Sequence, residues 1–336
     1  MPVRACRALA QQRKMEGCYD SVTLECYRQV LRQGGTGTDL VSYLSFRRDL
    51  GEELNGHYVP LLLKMMPRLG PRAWLEAYNL IVEAKGRFPP LTLHLRPIRR
   101  QLSVLAPALV ANFPNRRAAP MNPFLTGLAQ LVLEQEARRN EFADYLRKAS
   151  RLCVVGNHAG LAGSGLGGEI DSHECVVRFN QYASPASQAG DIGSKTDVWV
   201  RAPGFVPDQI EFHGRWAVIT GPDLRYRLSN WQVARPLLER RVSVLTVPLE
   251  IWRELVRRLA APPSAGLLFL AWLRQLREMG LSGISLVGFQ RRDVQVGAYH
   301  HALPFQPPGR RHNWTLEREL LTEWARQDKS IWLERR

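Results

Sequence analysis

The residues best suited to chemistry lie in three places along this chain. The first is the run Cys153-Val154-Val155-Gly156-Asn157-His158, where an apolar stretch ends on a glycine and an amide, with a glycine-rich segment following as far as Gly168. A buried strand that runs into glycine lets backbone N–H groups approach a ligand phosphate with no side chain intervening. Gly163, Gly165 and Gly168 also satisfy the spacing G-x-G-x-x-G, which suggests a dinucleotide site and an NAD(P)-dependent oxidoreductase. That match is weak, because these glycines begin well beyond Gly156 and no carboxylate sits at the end of a following strand. The second place is Ser264-Ala265-Gly266 ahead of an apolar run, which reads as a serine N-cap opening a helix. The third is a set of imidazoles, His300 and His301 and then His312, with Glu317 shortly after. Imidazole titrates near neutrality and so can take or give a proton in a reaction. The five cysteines Cys6, Cys18, Cys26, Cys153 and Cys175 show no C-x-x-C spacing, so neither a zinc site nor a disulfide framework is indicated.

The elements that must hold these residues follow two grammars. Up to about residue 145 the chain reads as helical, with apolar residues at helical spacing over Ser21–Gln33, Asp39–Leu50, Tyr58–Met66 and Pro71–Lys85. A basic, proline-rich connector follows, and then a longer helix from about Pro123 to Lys148. After Arg151 short apolar strands appear at Leu152–Val155, Glu174–Phe179, Thr196–Arg201, Trp216–Thr220, Val242–Val247 and Ile284–Val287. Helices at Ser229–Arg240, Leu249–Ala260, Ser264–Met279 and Thr315–Gln327 separate several of them. Alternating strands and helices imply an α/β fold, a largely parallel Rossmann-like sheet with helices on both faces, preceded by a helical N-terminal region. The expected division is 1–122 for that region and 123–336 for the catalytic domain.

The continuation of the glycine-rich run is more specific. Ile170-Asp171-Ser172-His173 leads into Arg178-Phe179-Asn180 and then Gly190-Asp191-Ile192-Gly193-Ser194-Lys195-Thr196. With Val154-Val155-Gly156-Asn157 this closely resembles the long motif of the sialyltransferases, glycosyltransferase family 29. Pro263-Ser264-Ala265-Gly266, closed by Gly288-Phe289, looks like the family's short motif. Gly297-Ala298-Tyr299-His300-His301 resembles its third motif, and His312 with Glu317 fits its very short motif, H-x4-E. The resemblance covers about residues 150 to 320. It implies a GT-A-like variant of the fold and inverting, metal-independent transfer of an acidic sugar from a CMP-linked donor. No Asp-x-Asp signature occurs in the chain, in keeping with that chemistry.

Carried over residue by residue, the resemblance makes His312 the general base and His300 the group that meets the leaving phosphate, with His301 the fallback. Asn157 and Asn180 would bind the nucleotide, and Asp191 would hold the loop. Ser264, Ala265 and Gly266 would present a helix N-terminus to the phosphate, and Gly288 would let the cytosine edge approach backbone. Ala265 stands where the family usually has threonine, which removes one hydroxyl contact. The bridge that animal members form from the start of the long motif, here Cys153, falls on Leu281 at its other end and cannot form. No cofactor is implied beyond the CMP-sugar itself, carrying sialic acid or a related acid such as Kdo. The acceptor would be a glycan or glycolipid.

Composition bounds what remains. With 336 residues, 45% hydrophobic and 23% charged, the chain has the make-up of an ordinary globular protein. The net charge of +15 favours anionic partners. A non-catalytic basic binding protein is the remaining alternative, although no nucleic-acid motif is present. No run approaches the roughly 18–20 apolar residues that cross a bilayer, and the first residues lack a signal-peptide core. The expectation is a cytoplasmic enzyme resting peripherally on an anionic inner membrane face, its N-terminal region shaping the acceptor side or docking to membrane.

Overall fold

The computed structural model of the chain describes residues 2–52, 54, 56–85, 131, 134–182, 188–202, 212–220, 234–289, 309 and 311–333. They fall into two compact units that interleave along the sequence. One comprises Met1–Glu134, Pro222–Arg235 and Pro248–Pro262, the other Gln135–Gly221, Pro236–Val247 and Pro263–Arg336. The boundary expected at 122/123 lies outside the described residues.

In chain order the elements are α1 (Val3–Met15), α2 (Ser21–Arg32), α3 (Gly37–Asp49), α4 (Val59–Met65), α5 (Pro71–Lys85), α6 (Gln135–Lys148), β1 (Leu152–Val155), α7 (Gly167–Asp171) and β2 (Cys175–Phe179). Then come α8 (Ala189–Ile192), β3 (Val198–Arg201), β4 (Trp216–Ile219), α9 (Arg235–Glu239), β5 (Ser243–Thr246), α10 (Leu249–Leu259), α11 (Ala265–Leu276), β6 (Ile284–Val287), α12 (Trp314–Gln327) and β7 (Ile331–Trp332).

The first unit is helical, as its periodicity predicts. Asp20 caps α2 by accepting the Thr23 N–H, and the helix buries Leu24, Tyr27 and Val30 at three-residue intervals. A capping box of Thr36 and Asp39 starts α3. The Asp39 carboxylate also takes Arg7 of α1 in two hydrogen bonds of 2.6 and 2.8 Å, which ties α1 to the start of α3. Helix α1 escapes the pattern reading because only Cys6 and Ala10 of it are buried, so it presents too narrow an apolar stripe. Of the helix expected over Pro123–Lys148, the described part is α6, and of that over Ser229–Arg240 it is α9. The one expected to run to Met279 stops at Leu276, where Arg277 turns to extended backbone.

The second unit is built on a seven-stranded, wholly parallel sheet in the order β5-β4-β3-β2-β1-β6-β7. Strands β1 to β4 are buried along their whole length, as a parallel sheet covered on both faces requires. On one face Phe142 of α6 packs against Trp216 of β4 and against Phe269 and Trp272 of α11. On the other, Cys153, Val155, Val176 and Val287 meet Leu161, Leu166, Ile170 and Ile192 in one cluster. Helix α11 buries Leu267, Leu268, Phe269, Leu270 and Leu273, and each such side chain contributes roughly 1.5–3 kcal/mol on leaving water. Strand β7 is too short and too exposed for its sequence to announce it. The strand order reverses between β1 and β6, and in open parallel sheets ligands bind at that point, outside the carboxyl ends of the strands.

Candidate active site at the carboxyl edge of the sheet

Gly156 follows β1 and Gly288 follows β6, and the two backbones touch. A Cβ built on Gly156 would lie 2.3 Å from the Gly288 carbonyl oxygen, and one on Gly288 would lie 2.5 Å from that of Gly156. Gly288 also has φ +69°, a left-handed conformation that a side chain resists. Both glycines are therefore demanded by the fold at the point where the crevice opens. The His158 N–H donates to Gly288 O at 3.0 Å, holding the turn after β1 against the end of β6.

Asn157 lies in this turn. Its Nδ2 donates to Phe179 O, at the end of β2, at 2.9 Å. Its Oδ1 is buried and, among the described residues, has no hydrogen-bond partner. A buried amide oxygen left without a donor costs roughly 1–3 kcal/mol, so a group that supplies one is favoured there. Asn180 is differently engaged. At φ +44° after β2, its Oδ1 accepts the Ala202 N–H at 2.7 Å and its carbonyl accepts the Trp199 indole N–H. It clamps the ends of β2 and β3 together, and only its Nδ2 is left to meet a ligand.

Ser264 caps α11 as expected, its Oγ accepting the Leu267 N–H at 3.2 Å. The next two residues, Ala265 and Gly266, are half-buried, and no acceptor for their N–H groups is found among the described residues. A Cβ on Gly266 would come within 3.2 Å of the Phe289 ring, and one on Gly156 within 3.3 Å of the same ring. Phe289 thus fills the space between the start of α11 and the turn after β1, edge-on to Phe179 at 6.0 Å.

Glu317, in the first turn of α12, is 5% exposed and grips Ser264 twice. The Ser264 N–H donates to Oε1 at 2.7 Å and its hydroxyl to Oε2 at 2.5 Å. Burial pushes its pKa up to about 7 despite those two hydrogen bonds, which lower it. The His312 Nδ1 lies 4.0 Å from Glu317 Oε1, and its ring stands edge-on to Trp314 at 5.2 Å. Ser264, Glu317 and His312, expected to work together on the strength of motif order, are therefore neighbours. His300 and His301 lie outside the described residues.

The glycine-rich segment answers the dinucleotide alternative. The Gly163 and Gly165 N–H groups donate to the two carboxylate oxygens of Asp191, at 2.7 and 2.9 Å. Donors spent on a carboxylate cannot also cradle a phosphate, so Gly163 and Gly165 are structural here, which counts against the dinucleotide reading. Asp191 holds the loop, as the resemblance implied. Asp171 does the same one turn on, accepting the Ser194 and Lys195 N–H groups. On this side of the strand ends a cavity of about 230 Å³ is lined by His158, Ser164, Gly288, Phe289 and Trp332 among others. The His158 Nδ1 accepts the Gly160 N–H, which leaves the proton on Nε2, and burial lowers its pKa. Neither His158 nor Trp332 was singled out by sequence: His158 has no spacing partner, and Trp332 arrives through β7. Cys153 and Cys175 are free and buried, and Leu281 is buried as well.

Comparison with known proteins adds independent evidence. Residues 118–228 match the sequence model of "Glycosyltransferase family 29 (sialyltransferase)". An 83-residue segment is 36% identical to a CMP-N-acetylneuraminate-beta-galactosamide-alpha-2,3-sialyltransferase 2 of Mus musculus, covering 25% of this chain and 23% of that protein. A 63-residue segment is 41% identical to an alpha-N-acetyl-neuraminyl-2,3-beta-galactosyl-1,3-N-acetyl-galactosaminide alpha-2,6-sialyltransferase of Homo sapiens, covering 18% and 20%. The matched part thus spans between a fifth and a quarter of those relatives' length. Two crystal structures of a mammalian sialyltransferase, one in complex with Gal-beta-1-3GalNAc-ortho-nitrophenol, align at TM-scores of 0.45 and 0.43. Both are 19% identical, covering 73% of this chain and 88% and 87% of theirs. The family-model match, the curated relatives and the order of motifs from Val154 to Glu317 agree: in this part of the chain the sequence is similar to glycosyltransferase family 29, the sialyltransferases.

Proposed function

We propose that the chain transfers sialic acid, or a related 2-keto sugar acid, from its CMP-linked donor to a hydroxyl of a glycan or glycolipid, with inversion and without a metal. One observation carries the reading: at the β1–β6 switch point the buried Asn157 Oδ1, which has no hydrogen-bond partner among the described residues, lies beside two strand ends open to the backbone, Gly156 and Gly288. That suits a nucleotide whose hydroxyls and amino group supply donors. The half-buried start of α11 offers N–H groups to the phosphate.

In the reaction the acceptor oxygen bonds to the anomeric carbon as the bond from that carbon to the phosphate oxygen breaks, and CMP leaves with the electron pair. His312 takes the acceptor's proton. A Glu317 carboxylate on its Nδ1 side favours the imidazolium that results. His300, with His301 as the fallback, meets the phosphate by resemblance to the family's third motif. The name of the Mus musculus relative, which refers to CMP-N-acetylneuraminate, and that of the Homo sapiens relative, a sialyltransferase, favour sialic acid over Kdo.

The test is calorimetry on the full chain with CMP, CDP, UDP and NAD, followed by transfer assays with CMP-sialic acid and CMP-Kdo. CMP should bind and NAD should not. The His312→Ala variant should bind CMP as the parent does, while transfer falls on the order of 10²–10⁴-fold. Heat with NAD and none with CMP would end the proposal. Undiminished turnover in the variant would put the base elsewhere.

A further inference from the structure

We infer that the corner of the helical unit formed by α4 and the start of α5 is a docking surface for an anionic lipid bilayer. The inference is independent of the transfer reaction.

The charge of this chain is unevenly placed. Between Leu54 and Leu133 the only carboxylates are Glu76 and Glu83, against ten Lys and Arg, so this stretch carries more than half of the chain's +15. Within it the described segment from Val59 to Arg72 has no acidic residue at all. Its outward positions are Pro60, Leu61, Lys64, Pro67, Arg68 and Arg72, all exposed, while Val59, Leu62, Met66 and Leu69 are buried. Among the described residues no carboxylate pairs with Lys64, Arg68 or Arg72. Elsewhere in the same unit cations are consumed: Arg7 by Asp39, Arg13 by Asp20, Lys14 by Asp49, Arg32 by Glu25 and Arg47 by Glu52.

The apolar component decides the kind of partner. Leu61 is 44% exposed, a large aliphatic side chain one helical turn before Lys64, and Met65 beside it is half-buried. Residues three and four apart share a helix face, so Leu61, Lys64 and Met65 form one surface. Aliphatic groups among unpaired cations suit a bilayer interface, where the chains enter the headgroup boundary and the cations meet lipid phosphates. A nucleic acid would use the cations alone and gain nothing from Leu61. No helix among the described residues is long and apolar enough to cross a membrane, so the contact is one that lies on the surface.

The experiment is sedimentation of the full chain with phosphatidylcholine vesicles, with and without phosphatidylglycerol. Binding should require phosphatidylglycerol and weaken with salt. The triple variant Lys64→Gln, Arg68→Gln, Arg72→Gln should lose on the order of a hundredfold in binding. Leu61→Ser should lose several-fold with its salt dependence unchanged, because it removes no charge. A charge-matched control, Arg240→Gln, Arg241→Gln, Lys329→Gln, should bind as the parent does, and all variants should keep the parent's melting temperature. Equal pelleting with both kinds of vesicle, an equal loss in the control, or binding to duplex DNA that depends on the same three cations while vesicle binding does not, would each overturn the assignment.

Discussion

At the scale of single residues, Glu317 is the side chain whose environment asks most of it. It sits almost out of water, holds the Ser264 N–H and hydroxyl, and lies 4.0 Å from the His312 ring. Its pKa is raised from 4.5 to about 7, chiefly by burial. A carboxyl whose folded pKa lies above its unfolded value contributes stability that is whole below about 4.5 and lost as pH rises through about 7. Glutamine keeps an oxygen to accept the Ser264 N–H, and its amide N–H can donate to the Ser264 hydroxyl in place of the second carboxylate oxygen that accepts from it, all without the charge. Glu317→Gln should therefore change little at pH 5 and gain on the order of 3 kcal/mol over the parent at pH 8, read from denaturant midpoints at the two values. Its transfer rate should fall, since the imidazolium loses its counter-charge. A stability difference that does not vary between the two pH values would mean Glu317 is ionised throughout.

At the scale of elements, the site depends on how strand ends approach one another. Gly288 combines a left-handed backbone with contact to Gly156, and a side chain there meets both backbone strain and a carbonyl at 2.5 Å. Gly288→Ala should cost roughly 2–5 kcal/mol and abolish CMP binding in the fraction that folds. A parent-like melting temperature with intact CMP affinity would show that the two turns have room to part. The glycines of the loop after β1 illustrate a different lesson. Their spacing read as a phosphate loop, but the donors of Gly163 and Gly165 serve Asp191. Spacing identifies where backbone N–H groups are exposed to a ligand or to a neighbour, and only the fold says which of the two is there. The strands themselves were readable, because a parallel strand buried on both faces is a short apolar run. Helix α1 and strand β7 were not, since one buries two residues and the other is a two-residue edge.

At the scale of the whole molecule, the proposed binding of CMP at the β1–β6 edge would couple to the stability of the sheet-bearing unit by mass action. CMP at about a hundredfold excess over its dissociation constant should add roughly 2.7 kcal/mol and raise the melting temperature of that unit by roughly 5–10 °C, with no such shift from UDP. A thermal scan with each nucleotide reads this directly, and equal shifts from both would remove the case for cytidine selectivity. The amino-acid sequence alone determined the alternation of strands and helices, the order of motifs from Val154 to Glu317 and the excess of cations before Leu133, because each of these is written in local spacing and composition. The tertiary structure alone decided that Glu317 would close on Ser264, that Asp191 would occupy the glycine loop and that Asn180 would clamp two strands. These contacts join residues far apart in the chain, and whether a polar group meets a ligand or a neighbour depends on which elements packing brings to its side.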